Sequence, residues 1–126
     1  MITISSILLI ESNPYKADIY QIHLERACYN VLIASDIDSA DQLIKAIAVE
    51  LIVISCDKTD QRCLEWIARL RTECRYAKLP VVIIHRANRP FDHPLDNYTL
   101  CLEKPRYDAQ IIGVIHEALN TLQPSC

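Results

Sequence analysis

The chain has 126 residues, a net charge of −3, 51% hydrophobic and 23% charged residues, a balance that reads as one compact domain over 1–126 and not as a disordered chain. No apolar run approaches the roughly 18 residues of a membrane span, and no stretch gathers Lys and Arg without acids nearby, so neither membrane insertion nor nucleic-acid binding is expected. Gly113 is the one glycine, where average usage of about 7% would supply about nine; phosphate-cradling loops and the Ser-elbow hydrolase motif need several and are excluded.

Short, nearly continuous apolar runs recur at 7–10, 31–34, 51–54, 81–84 and, more weakly, 99–102. Runs of this length, rich in Ile and Val on consecutive residues, predict strands covered on both faces. Helical patterns lie between them. Asn13 before Pro14 predicts a cap with proline in the first turn, followed by the rows Tyr15, Ile19, Ile22 and Tyr20, Leu24, Ala27. Ser39 and Gln42 have capping-box spacing ahead of Leu43, Ile44 and Ile47. Asp60 opens a third helix carrying Leu64, Ile67 and Leu70, and Asp108 a last one carrying Ile111, Ile115, Ala118 and Leu122, with Ile112 and Leu119 beside them. The span 86–97 holds Pro90 and Pro94 and no apolar period, so a loop or a single turn is expected there.

Strand and helix alternating in this way predict a doubly wound α/β fold, a five-stranded parallel sheet with helices on both faces and the helix after the fourth strand shortened or missing. The six cysteines, Cys28, Cys56, Cys63, Cys74, Cys101 and Cys126, form no C-x-x-C pair and the histidines do not cluster with them. With no basic, cleavable leader at the N-terminus, the thiols are read as reduced and the location as cytoplasmic, with no structural zinc. In such a sheet the functional crevice lies outside the carboxyl ends of the strands. That singles out Glu11, Ser12 and Asn13; Ser55, Cys56 and Asp57; His85 and Arg86; and Glu103, Lys104 and Pro105.

Four stretches at that edge, I-L-L-I-E-S-N-P, E-L-I-V-I-S, L-P-V-V-I-I-H and L-E-K-P, together resemble the receiver domain of two-component response regulators, a flavodoxin-like fold, over essentially the whole chain. The resemblance implies a phosphoacceptor aspartate ending the third strand, two acids after the first strand that hold Mg²⁺, a Ser or Thr ending the fourth, and Lys-Pro ending the fifth. Here Glu11 fits the first acid, Ser12 replaces the second, Ser55 stands at the acceptor position, His85 replaces the small hydroxyl residue, and Lys104 and Pro105 match. The chain thus looks like a pseudo-receiver with a degenerate pocket of Glu11, Ser12, Ser55, His85 and Lys104. Mg²⁺ wants several hard anionic oxygens, and Glu11 with Lys104 already cancel in charge, so no metal or other cofactor is expected.

Several residues carry two readings. Ser55 and His85 form a nucleophilic dyad, or the imidazole fills vacated space and bonds Ser55 or a backbone carbonyl; no third orienting group is visible. Asp57 is an offset phosphoacceptor, or part of a solvated turn with Lys58, Thr59 and Asp60. Cys56 is a redox sensor near His85 and Lys104, or a small core residue. Trp66 is read as core.

The expected function is a stand-alone, non-phosphorylatable, non-enzymatic signalling module that docks on an unidentified signalling protein. The rivals are a phosphoryl-accepting regulator using Asp57 and a small-molecule or redox sensor around Cys56, His85 and Lys104. Glu11 and Lys104 are expected to pair, and a single conformation is expected with or without Mg²⁺ and acetyl phosphate. The span 86–97 carries Arg86, Arg89, Phe91 and His93, residue types that anchor interfaces, and reads either as the partner-binding face or as a connection closed after a deletion. Without the helix that the resemblance places in a dimer face, a monomer is expected.

Overall fold

The computed structural model describes residues 6–56, 61–85, 97–103 and 110–122. The elements run β1 (Ser6–Ile10), α1 (Pro14–Arg26), β2 (Asn30–Ala34), α2 (Ile37–Ala46), β3 (Leu51–Cys56), α3 (Gln61–Arg71), a 3-10 turn (Cys74–Tyr76), β4 (Val81–His85), β5 (Thr99–Glu103) and α4 (Ile111–Leu122). The strands form one five-stranded sheet in the order β2-β1-β3-β4-β5, and every neighbouring pair is parallel. This is the expected doubly wound, flavodoxin-like receiver-type topology, with four α-helices among the described residues. Residues 86–96 lie outside them, so the expectation of a shortened or missing helix after β4 lies outside them too.

The continuous apolar runs follow from a sheet packed on both sides. Ile7, Leu9, Leu51, Val53, Val82 and Ile84 enter one cluster with Tyr20 and Leu24 of α1 and Ile111 and Ile115 of α4. Their immediate neighbours Leu8, Ile10, Ile52, Ile54, Val81 and Ile83 enter a second cluster with Ala40 and Ile44 of α2 and Ile67 and Leu70 of α3. Alternate side chains of a strand leave opposite faces, so a strand buried on both must be apolar at consecutive positions.

Caps set the helix starts. Asn13 is extended, and its Oδ1 accepts from the backbone N–H of Tyr15 at 3.0 Å and Lys16 at 3.4 Å, with Pro14 opening the helix as expected. The cap of α2 is Asp36, not Ser39: its carboxylate accepts from the Ser39 N–H at 2.7 Å, and the helix starts at Ile37. An acceptor three residues earlier leaves Ser39 as a recipient of capping. Of the two apolar rows proposed on α1, one faces the sheet. Ala17, Tyr20 and Leu24 are buried, whereas Tyr15 and Ile22 of the other row are exposed.

The 3-10 turn went unread in the sequence, and one side chain ties it in place. The Arg71 guanidinium donates to the carbonyls of Tyr76 at 2.8 Å and Leu79 at 2.7 Å and to Thr99 Oγ1 at 2.9 Å. It thereby joins the end of α3 to the starts of β4 and β5. Cys28, just past the α1 C-terminus, has φ +71°, and the bonds Cys28 N–H to Glu25 O and Tyr29 N–H to Leu24 O close the helix as a left-handed turn normally does with glycine.

Candidate functional site

The carboxyl ends of β1, β3, β4 and β5 bring several of the sequence-selected residues to one edge of the sheet. The Glu11 N–H donates to Ala34 O at 3.0 Å, which carries the β1–β2 ladder one residue past β1 and holds Glu11 in place. Its side chain is 6% exposed, while Ser12 and Asn13 are at the surface. Asn13 is occupied with capping α1. Ser55 lies inside β3, and His85 is the last residue of β4; each is 7% exposed.

Strand register decides which of these residues meet. Ile10 pairs with Ile54, so Glu11 and Ser55 are the next step along the same two strands. Both continue the rows Ile7, Leu9 and Leu51, Val53, which face α1 and α4. Ser55 is in register with Ile84, whereas His85 is in register with Cys56 and with Glu103. His85 continues the Val81, Ile83 row, which faces the α2 and α3 side. Hydroxyl and imidazole therefore sit on opposite faces of the sheet. The Ser55 Oγ is fully buried and has no hydrogen-bond partner among the described residues, so the bond from His85 to Ser55 that the sequence allowed is not made and no nucleophilic dyad forms. The reason is the two-residue period of a strand, which no residue-type argument can supply.

The donor set can be tested against the divalent ion that this fold family implies. Glu11 provides one buried carboxylate, Ser12 an exposed hydroxyl, and Ser55 a buried hydroxyl that itself has no partner. Mg²⁺ sheds water reluctantly and is held through carboxylates. Among the described residues, one carboxylate and two neutral hydroxyls do not fit it. No described side chain neutralises Glu11. Lys104, Pro105, Asp57 and the residues Arg86, Arg89, Phe91 and His93 lie outside the described residues, as do the readings placed on them.

Trp66 is 1% exposed in the α2 and α3 cluster, and its indole N–H donates to Asp41 at 3.0 Å. Cys28, Cys63, Cys74 and Cys101 form no disulfide with one another. The alignment of Cys56, His85 and Glu103 was missed in the sequence. Each residue had been placed at the strand ends, but only pairing tells which share a row.

No protein-family model and no curated protein matches the chain. Solved structures do. The chemotaxis response regulator CheY4 of Vibrio cholerae is similar with a TM-score of 0.79 and 17% identity, covering 93% of this chain and 100% of that one. An orphan response regulator of H. pylori matches with a TM-score of 0.72 and 16% identity over 91% of this chain and 96% of its own. A response regulator protein from Burkholderia multivorans matches with a TM-score of 0.68 and 21% identity over 98% and 99%. The chain has the fold of response-regulator receiver domains, at low sequence identity. Among the described residues no helix is long and apolar enough to cross a membrane.

Proposed function

We propose that the protein is a degenerate receiver of a two-component-type pathway, not phosphorylated at Ser55, that acts without catalysis by docking on a signalling protein. The observation that carries this reading is the Ser55 hydroxyl, buried and without a hydrogen-bond partner on the face it shares with Glu11. An acyl phosphate needs a carboxylate at that place, and a serine needs a base to become a nucleophile. The acceptor position holds a hydroxyl in place of a carboxylate, and no base among the described residues is hydrogen-bonded to it. The likeness of fold to response regulators supports the signalling context.

The test is an amide-shift titration of the full chain with Mg²⁺ and beryllofluoride. We expect the resonances of Glu11, Ser55 and His85 to stay where they are, and a single set of signals to persist with acetyl phosphate. A saturable shift centred on Asp57 would instead establish the phosphoryl-accepting regulator. A ligand moves a conformational equilibrium only through contacts that differ between its states, and the residues that would make those contacts are replaced.

Docking is assigned to Arg86, Arg89, Phe91 and His93, because arginine and aromatic side chains together anchor interfaces. The Arg89→Ala, Phe91→Ala double variant should fold normally and fail to retain a partner captured by the wild type; retention moves the interface to α1 around Tyr15 and Ile19. The same reading pairs Glu11 with Lys104 and makes the protein a cytoplasmic monomer that binds neither nucleic acid nor membrane. Sedimentation at dilute concentration checks the monomer.

A further inference from the structure

At the amino ends of β3 and β4, the end of the sheet opposite Glu11 and Ser55, a groove of about 270 Å³ opens between two stretches of chain. One wall follows α2. The helix stops at Ala46, and Ile47 takes extended backbone, φ −132° and ψ 134°, with its N–H still bonded to Leu43 O at 2.9 Å. The chain therefore leaves the helix there, Ile47 and Val49 line the groove on the way to β3, and Ile47 stays 41% exposed. The other wall is the 3-10 turn and the lead into β4, with Leu79. Tyr76 joins the two walls: it is 7% exposed, and its hydroxyl donates to Ile44 O at 3.2 Å, which ties the turn to the end of α2.

The charges that line the groove are of one sign. Lys45 and Arg75 line it and, among the described residues, no carboxylate does, in a chain that carries 16 acids against 13 Lys and Arg. Both cations are held in place. The Lys45 Nζ stands 2.8 Å from Asp41, which lies outside the lining. The Arg75 guanidinium lies 5.5 Å from the centroid of the Tyr76 ring and donates to its hydroxyl at 3.3 Å. That hydroxyl is neutral, so Arg75 forms no ion pair among the described residues and feels an acid only through the more distant charge of Glu73. A guanidinium already stacked on an aromatic ring loses little further freedom when it takes a carboxylate.

We infer that this groove is a docking site for an acidic peptide segment of a partner protein, which lays an apolar side chain over Tyr76 between Ile47 and Leu79 and sets carboxylates on Arg75 and Lys45. Apolar contact supplies the affinity at the centre, and the two cations select the charge of the occupant, as complementary charges do at interfaces. The volume lies below the roughly 300 to 1,000 Å³ of pockets that enclose a small molecule, and it suits a side chain of an extended segment laid across the surface. The groove is separate from residues 86–97 and independent of how the pocket at the carboxyl edge is read.

The test is an amide-shift titration of the full chain with the capped hexapeptide acetyl-D-E-F-L-D-E-amide, beside capped N-Q-F-L-N-Q and K-K-F-L-K-K. We expect saturable shifts from the acidic peptide centred on Ile47, Val49, Tyr76 and Leu79, half-complete below about 1 mM, and none from the basic one. The neutral peptide should bind about tenfold more weakly, and salt at about 1 M should bring the acidic peptide down to the same level. Arg75→Glu and Ile47→Ser, both at exposed positions, should each weaken the acidic peptide about tenfold, with circular dichroism as the check on folding. Absence of a saturable shift at these residues, equal binding of the neutral or the basic peptide, or an affinity unchanged by Arg75→Glu in the folded variant overturns the inference. If Arg75→Glu does not fold, the peptide and salt series, which need no variant, decide.

Discussion

The Arg71 guanidinium and the Ser55 hydroxyl are both polar groups drawn into the packed body of the domain, and their surroundings differ in kind. Arg71 reaches two carbonyls and one hydroxyl at 2.7 to 2.9 Å, all at the ends where β4 and β5 begin. Nearby, the buried Trp66 gives its indole N–H to Asp41, which also receives Lys45 at 2.8 Å. At the other ends of the strands, Ser55 has no hydrogen-bond partner among the described residues and the Glu11 carboxylate is neutralised by none of their side chains. Buried polar groups in native proteins are nearly always satisfied, and the exceptions gather where function or a lost function left them. The junction of α3 with β4 and β5 is built for stability. The carboxyl edge keeps polar groups that contribute none.

Substitutions should therefore differ in sign between the two regions. Arg71→Ala leaves the Tyr76 and Leu79 carbonyls without their donor and should cost about 2 to 4 kcal/mol in urea unfolding, as loss of charge-assisted hydrogen bonds does. A loss under about 1 kcal/mol would mean that water replaces the guanidinium at no penalty, and the contrast would fail.

Asp41→Ala should cost about 1 to 2 kcal/mol, because the buried Trp66 N–H loses its acceptor. This site also has a pH signature. Hydrogen bonds from Lys45 and then Trp66 hold the Asp41 carboxyl below the usual carboxylate range. A carboxyl whose pKa is lowered by folding contributes stability above its unfolded value of about 3.9 and loses it as the pH falls through the folded value. Wild type should thus lose stability from just above pH 4 downward, and Asp41→Ala should show a shallower fall over the same range in thermal melts. Parallel curves for the two proteins would remove Asp41 from the acid response.

Ser55→Ala has the opposite expected sign, a gain of about 1 kcal/mol, since it deletes a buried hydroxyl that has no partner. A loss of that size would show that the hydroxyl is bonded in solution and would bring the two regions together. The smallest effect is expected outside both. Cys28 holds φ +71° with a side chain, and Cys28→Gly should gain about 0.5 kcal/mol, the relief of left-handed strain less the entropy that glycine adds to the unfolded chain. Any clear loss would show that the thiol at this turn contributes more than its backbone strain costs.

Much of the fold was legible because burial on both faces leaves a one-dimensional trace. Four residues in a row such as Val81 to Ile84 have few folded environments other than the middle of a covered sheet. The Asn13-Pro14 start of α1 was equally local, since cap and first turn lie within four residues. Asp36 and Ser39 were harder to separate, because either side chain can accept from a helix N-terminus and only the extended backbone at Asp36 settles which one does. The buried row of α1 was ambiguous for a related reason: Tyr15, Ile19 and Ile22 are as apolar in type as Tyr20 and Leu24, and only the angle at which the helix meets the sheet turns the first row outward.

Residue types and their order determined the strand sites, the parallel alternation of strand and helix, and the gathering of Glu11, Ser55, His85 and Glu103 at one edge, because each depends on neighbours in the chain or on a short period. The tertiary structure alone decided which of those residues share a face. Register sets Ser55 beside Ile84 and His85 beside Cys56 and Glu103, and a slip of one residue would exchange every partner across the sheet. Nothing in the local sequence carries that information, since strand pairing is a contact between residues 18 to 44 positions apart, settled by how the two apolar faces of the sheet are covered by the helices.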